Sequence, residues 1–239
     1  MCGRFYLKFL PSSEELFEHL FGIPLPEFEY PPILDDDILP YRDITTFYPS
    51  SNRVKSRPMF WNLIPKNSRS FEPRKTWFNT RKEKLAEPYQ KNLLRYKRCV
   101  VPINGFFENK KANGKAVYHS KKIGGRNVRK KETYEFTLRE ESLMLLGGIY
   151  DVWGEDQFSC SIITLAPNSL IGEIHQRMPF ILPNEMVKVW LDKNVDDDDF
   201  LTELISPFPS EKLLMKRKWP PDKEGALSNE ESQMDLFGG

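Results

Sequence analysis

From residue 98 onward the chain runs in short β-rich segments divided by turn residues, and this pattern constrains the fold more than any other feature. Residues 99–103, 132–138, 143–152 and 158–165 are each the length of one strand and rich in β-branched and aromatic side chains. Between the first two lies 109–131, with nine Lys or Arg together with Gly114, Gly124 and Gly125. It reads as a hairpin loop or basic flap, either simply solvated or in contact with DNA. Strand runs interleaved with irregular helices indicate an α+β domain whose mainly antiparallel, barrel-like β core carries peripheral helices.

The first half is less regular. Ser12 and Glu15 form an S-x-x-E capping box ahead of Leu16, Phe17, Leu20 and Phe21 at helical spacing, and Gly22 stops that helix. The proline- and aspartate-rich stretch from there to about residue 57 reads as a long surface loop with a short strand or two. Residues 79–96 have helical composition, with Pro88 opening a second short helix. A helical turn follows Pro167, and Asn184 caps a helix carrying Met186, Val189 and Trp190. One domain is expected over 1–220, with a flexible polar tail over 221–239.

Composition serves mainly to exclude. With 239 residues the chain can bury a core, and 39% hydrophobic with 29% charged residues is ordinary for a globular protein. A net charge of +1 means that any nucleic-acid field must come from local clustering of basic residues. No apolar run is long enough to cross a bilayer, and the N-terminus lacks the features of a secretory signal. Three cysteines, two of them in apolar runs, indicate reduced, cytoplasmic usage. His19, His119 and His175 lack metal-ligand spacing, so neither a metal nor another cofactor is expected.

The chemistry begins at Met1-Cys2-Gly3-Arg4. Removing Met1 would leave Cys2 as a 1,2-aminothiol: its amine condenses with an aldehyde to an imine, and its thiol closes a five-membered thiazolidine ring. An α-amino group titrates at roughly 8, so a useful fraction is nucleophilic at neutral pH. A neighbouring cation such as Arg4 would lower the thiol pKa. Further along, Asn79 and Arg81 offer an amide and a guanidinium at a strand-to-helix junction. Glu108 follows an apolar run, where burial would raise its pKa into the general-acid range. His175 lies two residues from Arg177. Taken singly each has a duller reading: Asn79 as a helix cap, Glu108 as a solvated strand end, His175 as a satisfied core residue.

Together they are more specific. The MCGRF start, Trp61-x-Leu63-Ile64-Pro65, Asn79-x-Arg81-x-Glu83, Val101-Pro102-x-x-Gly105-Phe106-Phe107-Glu108 and Ile174-His175-x-Arg177-Met178-Pro179 occur in the order of the SRAP family, the SOS-response-associated peptidase-like proteins. The chain resembles that family from residue 2 to about 183. The resemblance implies an abasic-site processing protein that forms a covalent thiazolidine cross-link to the aldehyde of an abasic site in single-stranded DNA. Cys2 would be the nucleophile, Asn79 would orient the amine or sugar, Glu108 would shuttle protons, and His175 would assist imine chemistry and cross-link reversal. Arg4, Arg81 and Arg177 suit phosphate contacts, and Trp61 and Trp77 could stack on unpaired bases. Phe106 reads better as core. The protein is expected to act as a monomer in the cytoplasm, near replicating DNA.

Two other readings stay open: a thiol autopeptidase using Cys2 and His175, with lyase-like chemistry beside it, and a non-catalytic DNA or clamp adaptor. The chain also departs from the family pattern at four places, one being that the family's C-terminal valine-asparagine segment is not recognisable after Trp219. Asn109 replaces an aromatic, Asn62 replaces a glycine, and Thr45-Thr46-Phe47-Tyr48-Pro49 stands where a Tyr-Asn-x-x-Pro element is usual. Near the end, Gln233-Met234-Asp235-Leu236-Phe237 resembles the peptide by which repair proteins dock on the bacterial sliding clamp, with Gln233, Leu236 and Phe237 as anchors.

Overall fold

The computed structural model describes residues 3–51, 53–72, 75–140 and 143–220. Cys2 and the whole 221–239 tail, including its clamp-like motif, therefore lie outside the described residues. The first strand is β1 (Phe5–Leu7), followed by α1 (Glu14–Phe21). Ser13 rather than Ser12 caps this helix, its Oγ accepting from the Leu16 N–H, and Gly22 at φ 65° ends it. Four strands follow: β2 (Glu27–Phe28), β3 (Asp35–Ile38), β4 (Asp43–Ser50) and β5 (Arg53–Trp61).

The expected long loop is thus mostly sheet. Pro49 and Pro58 signal a break in sequence, yet they sit inside β4 and β5. Pro58 lies between the stretch of β5 paired with β2 and the stretch paired further along, where one missing N–H is tolerated. Ile44, Phe47, Met59 and Trp61 from these strands are fully buried.

Next come β6 (Asn79–Arg81), a 3₁₀ turn over Lys82–Lys84, and α2 (Pro88–Tyr96), with Pro88 at its start as expected. The strands then run β7 (Arg98–Ile103), β8 (Gly105–Asn109), β9 (Lys111–Ala112), β10 (Lys115–Ala116), β11 (Tyr118–Ile123), β12 (Arg126–Lys131) and β13 (Thr133–Leu138). After them come β14 (Met144–Trp153), β15 (Gln157–Leu165), α3 (Ser169–Gly172) and β16 (Met178–Pro179). Helices α4 (Val187–Leu191) and α5 (Asp198–Leu204) precede the last strand, β17 (Leu213–Trp219). Asn184 opens a 3₁₀ turn that leads into α4.

Five strands close into a barrel in the order β14-β7-β4-β5-β15. The closing seam is parallel, with Ser159 opposite Phe60 and Cys160 opposite Trp61, and the Ser159 hydroxyl holds it by accepting from the Ile64 N–H at 2.9 Å. Closure removes the free edges that an open sheet would expose. A second sheet packs beside it in the order β17-β13-β8-β1-β3. Strands β7 and β8 are consecutive, so the Val101–Glu108 segment crosses from barrel to second sheet at Asn104. Phe5, Phe106 and Phe136 of the second sheet are buried, with Phe106 and Phe136 stacked at 5.0 Å between ring centroids. Phe106 is therefore core, as expected.

Candidate active site

The strand following Cys2 is held from several directions. Phe5 pairs with Phe106 and Tyr6 with Gly105, and the Phe107 N–H donates to the Arg4 carbonyl at 2.8 Å. On its other edge β1 pairs with β3. Asn104 secures the exit, its Oδ1 accepting from the Lys8 N–H at 2.6 Å and the Phe9 N–H at 3.2 Å. Gly105 permits the close approach: a Cβ there would lie 2.6 Å from the Tyr6 hydroxyl and 2.9 Å from the Phe136 carbonyl. The described chain thus begins alongside the strand that carries Glu108.

Glu108 is 5% exposed, and burial pushes its carboxyl above the usual carboxylate range. His175 is 4% exposed, and burial lowers its pKa to about 4, leaving the imidazole neutral near pH 7. Its position follows from α3, which Asn168 caps by accepting from the Ile171 N–H, and from the His175 N–H donating to the Ile171 carbonyl at 2.8 Å. The imidazole Nδ1 lies 3.1 Å from both the N–H and the carbonyl of Arg177. Each contact suits one tautomer, so Nε2 can be donor or acceptor without ring rotation. Glu108 and His175 belong to one electrostatic neighbourhood, because the Lys111 charge lowers the pKa of both. The Lys111 N–H also donates to the Ile174 carbonyl at 2.9 Å, tying the two segments together. Nothing in the sequence distinguishes Lys111 among its basic neighbours.

The remaining site residues divide. Asn79 and Arg81 lie on β6, opposite Ile162 and Thr164 of β15, and Pro179 pairs with Thr164 across the other edge. Arg81 is exposed and available to a phosphate. Arg177 is engaged instead, gripping both Glu83 oxygens at 2.7 and 3.0 Å and the Thr164 carbonyl at 2.5 Å. Arg4 ion-pairs with Asp37 at 2.6 Å and stacks over the Phe107 ring. A phosphate would have to share or displace these carboxylates.

Trp61 corrects an expectation. It is fully buried at the barrel seam, 4.8 Å from the Phe5 ring, and its indole N–H donates to the Phe78 carbonyl at 2.8 Å. It cannot offer a face to a base; it positions the backbone that leads to Asn79. Trp77 remains partly exposed, stacked on Tyr89, and lines a groove of about 190 Å³ with Leu63, Pro65 and Lys75. The unusual Asn62 holds this loop: its Oδ1 accepts from the Trp77 N–H at 2.6 Å and its Nδ2 donates to the Lys75 carbonyl at 3.1 Å. Asn109 accepts from the Thr133 hydroxyl at 2.9 Å, a role within the sheet.

A closed barrel beside a second sheet, with a buried acid and a neutral imidazole in one neighbourhood next to the N-terminal strand, defines the class of this protein by architecture and site. The family model described as SOS response associated peptidase (SRAP) matches residues 1–217, and the chain belongs to that family. It is 30% identical over 220 residues to abasic site processing protein YoqW of Bacillus subtilis (strain 168), covering 89% of this chain and 90% of the relative. It is also 30% identical over 158 residues to abasic site processing protein HMCES of Xenopus tropicalis, covering 60% of this chain and 46% of that protein. The crystal structure of a protein from Bacteroides thetaiotaomicron shares the fold at a TM-score of 0.68 and 24% identity, over 89% of this chain and 91% of that one. Among the described residues, no helix is long and apolar enough to cross a membrane.

Proposed function

We propose that this chain processes abasic sites in single-stranded DNA by capturing the lesion's aldehyde on Cys2 once Met1 is removed. The observation that carries the reading is the seating of β1 against β8, which starts the described chain beside a buried acid whose pKa is raised. The names of the relatives point to the same substrate. The Cys2 amine adds to the aldehyde carbon and gives a carbinolamine. Glu108 donates its proton to the departing hydroxyl, water leaves, and an imine forms. The proton lost from nitrogen restores Glu108. The thiol sulfur then adds to the imine carbon while its proton passes to nitrogen, and the ring closes. One aldehyde and one aminothiol thus become a thiazolidine and one water. His175, neutral and able to present Nε2 in either tautomer, supports these transfers, and Asn79 orients the amine or the sugar.

The test is incubation of Met1-cleaved protein with single-stranded DNA bearing one abasic site, followed by a denaturing gel. An adduct on abasic DNA alone, lost in Cys2→Ala and when an added residue blocks the amine, is expected. No adduct from folded protein would overturn the reading. The family's description also names a peptidase, and a thiol peptidase using Cys2 and His175 would be indifferent to the blocked amine. A purely adaptor role predicts salt-sensitive binding that never becomes covalent.

The tail motif is a separate part of the proposal. Residues 233–237 would dock on a sliding clamp through Leu236 and Phe237, with Gln233 hydrogen-bonding beside them. A tail peptide should bind the clamp in calorimetry and lose binding on Leu236→Ala or Phe237→Ala; unchanged heats would remove this element.

A further inference from the structure

One residue after Glu108, past Asn109, the chain leaves the second sheet, and it returns at β13, where Thr133 pairs opposite Asn109 and Tyr134 opposite Glu108. The excursion over 110–131 contains nine Lys or Arg and no Asp or Glu. The chain's net charge of +1 is therefore +9 in this segment and −8 elsewhere. Its outer part is the antiparallel ribbon β11–β12, about 20 Å long at the usual strand rise.

The base of the ribbon is fixed. The Lys110 N–H donates to the Glu132 carbonyl, the Val117 N–H to the Lys110 carbonyl and the Glu132 N–H to the Val117 carbonyl, all at 2.8–2.9 Å. The buried Glu132 carboxylate accepts from the Tyr134 hydroxyl at 2.6 Å, meets His119 Nε2 at 2.5 Å and has the Lys110 ammonium at 3.5 Å. Burial alone would raise the pKa of Glu132; these three partners outweigh it and hold the pKa below the usual range.

The ribbon's two faces differ. Pairing register places His119 and Lys130 on one face, and this face is tied to the body: His119 to Glu132, and Lys130 over the Trp219 ring at 5.1 Å. Lys121 and Arg126, further along that face, stay exposed. The other face carries Tyr118, Ser120, Lys122, Asn127, Arg129 and Lys131. All six are exposed, Tyr118 by 45%, and Arg129 lies 4.6 Å over its ring. Among the described residues, none of its three cations has a carboxylate within ion-pair distance, unlike Arg4 and Arg177.

We propose that this outer face is a second DNA-contact surface, which grips the single strand leading away from the captured lesion. Lys122, Arg129 and Lys131 neutralise successive phosphates, and Tyr118 stacks on an unpaired base. The inference rests on the abasic-site reading for its ligand. It is favoured over an acidic peptide by the exposed aromatic set among cations and by the ribbon's anchorage next to Glu108.

The test separates the two readings. Reversible binding of undamaged single-stranded DNA is measured for a Cys2→Ala protein, with and without Lys122→Gln, Arg129→Gln and Lys131→Gln together. Loss of three phosphate contacts should reduce the slope of log affinity against log salt by about two. Tyr118→Ser alone should weaken binding roughly fivefold or more at fixed salt. Thermal melting verifies that each variant is folded. An unchanged slope in folded protein overturns the inference, as does polyglutamate binding as tightly as DNA and losing affinity with the same substitutions. If capture itself is misread, wild-type protein forms no adduct whatever the slopes; if only the ribbon is misread, the adduct forms and the slopes coincide.

Discussion

Glu108 and His175 are both ionisable and both buried, and burial moves them in opposite directions along the pH axis. An unfolded glutamate ionises near 4.3, whereas native Glu108 holds its proton to higher pH. Its contribution to stability is complete below the unfolded pKa and is lost as pH rises through the folded one, so at neutral pH the fold carries a burial cost. Glu108→Gln should therefore raise the melting temperature near pH 7 and leave it unchanged near pH 4, while slowing capture by about 100-fold or more. Equal melting gains at both pH values would contradict this. For His175 the folded value of about 4 lies below the unfolded value near 6.5, so stability falls as pH drops across that window. In His175→Gln the acid limb of melting temperature between those pH values should flatten, and an unchanged limb would place its cause elsewhere. Glu108 was legible in sequence because its burial follows from the apolar run just before it. Trp61 was not, because its exposure is decided by a seam with β15, far away along the chain.

At the scale of elements, β7, β13, β14 and β15 could be read with little error because each is a β-rich run bounded by turn residues, whereas β8 and the lysine- and arginine-rich β17 gave no such signal. The sheet over 27–61 was hidden by prolines that normally end strands, and only the gap between the partners of β5 makes Pro58 acceptable. The loop beneath Trp77 is another place where local signals were silent. Asn62 marks it only as a departure from the family, yet that one side chain bonds the backbone of both Lys75 and Trp77, beside the Leu63 N–H that donates to the Trp77 carbonyl. Asn62→Ala takes the side-chain partner from these part-buried backbone groups and should cost about 1–3 kcal/mol in chemical denaturation. It should also weaken single-stranded DNA binding if Trp77 stacks on a base. Full stability in this variant would refute the clamp on the loop.

For the molecule as a whole, barrel closure sorts the three cysteines. Cys99 and Cys160 are fully buried, and burial raises both thiols well above the range in which thiolates form at neutral pH. A thiol reagent should label no more than one cysteine in the native protein and all three after denaturation. Rapid native labelling of two or more would mean that the seam opens readily. Cys99→Ala and Cys160→Ala should leave capture rates near normal, since neither thiol reaches solvent.

The seating of β1 between β8 and β3 also has a mechanical consequence. With DNA bonded at residue 2, tension from a motor moving along the strand would enter the protein along the axis of β1. Antiparallel neighbours on both sides would bear that load in shear, their hydrogen bonds sharing it instead of parting one by one. A strand in the interior of a sheet is thus a sturdier anchor for a tethered load than a free terminal arm.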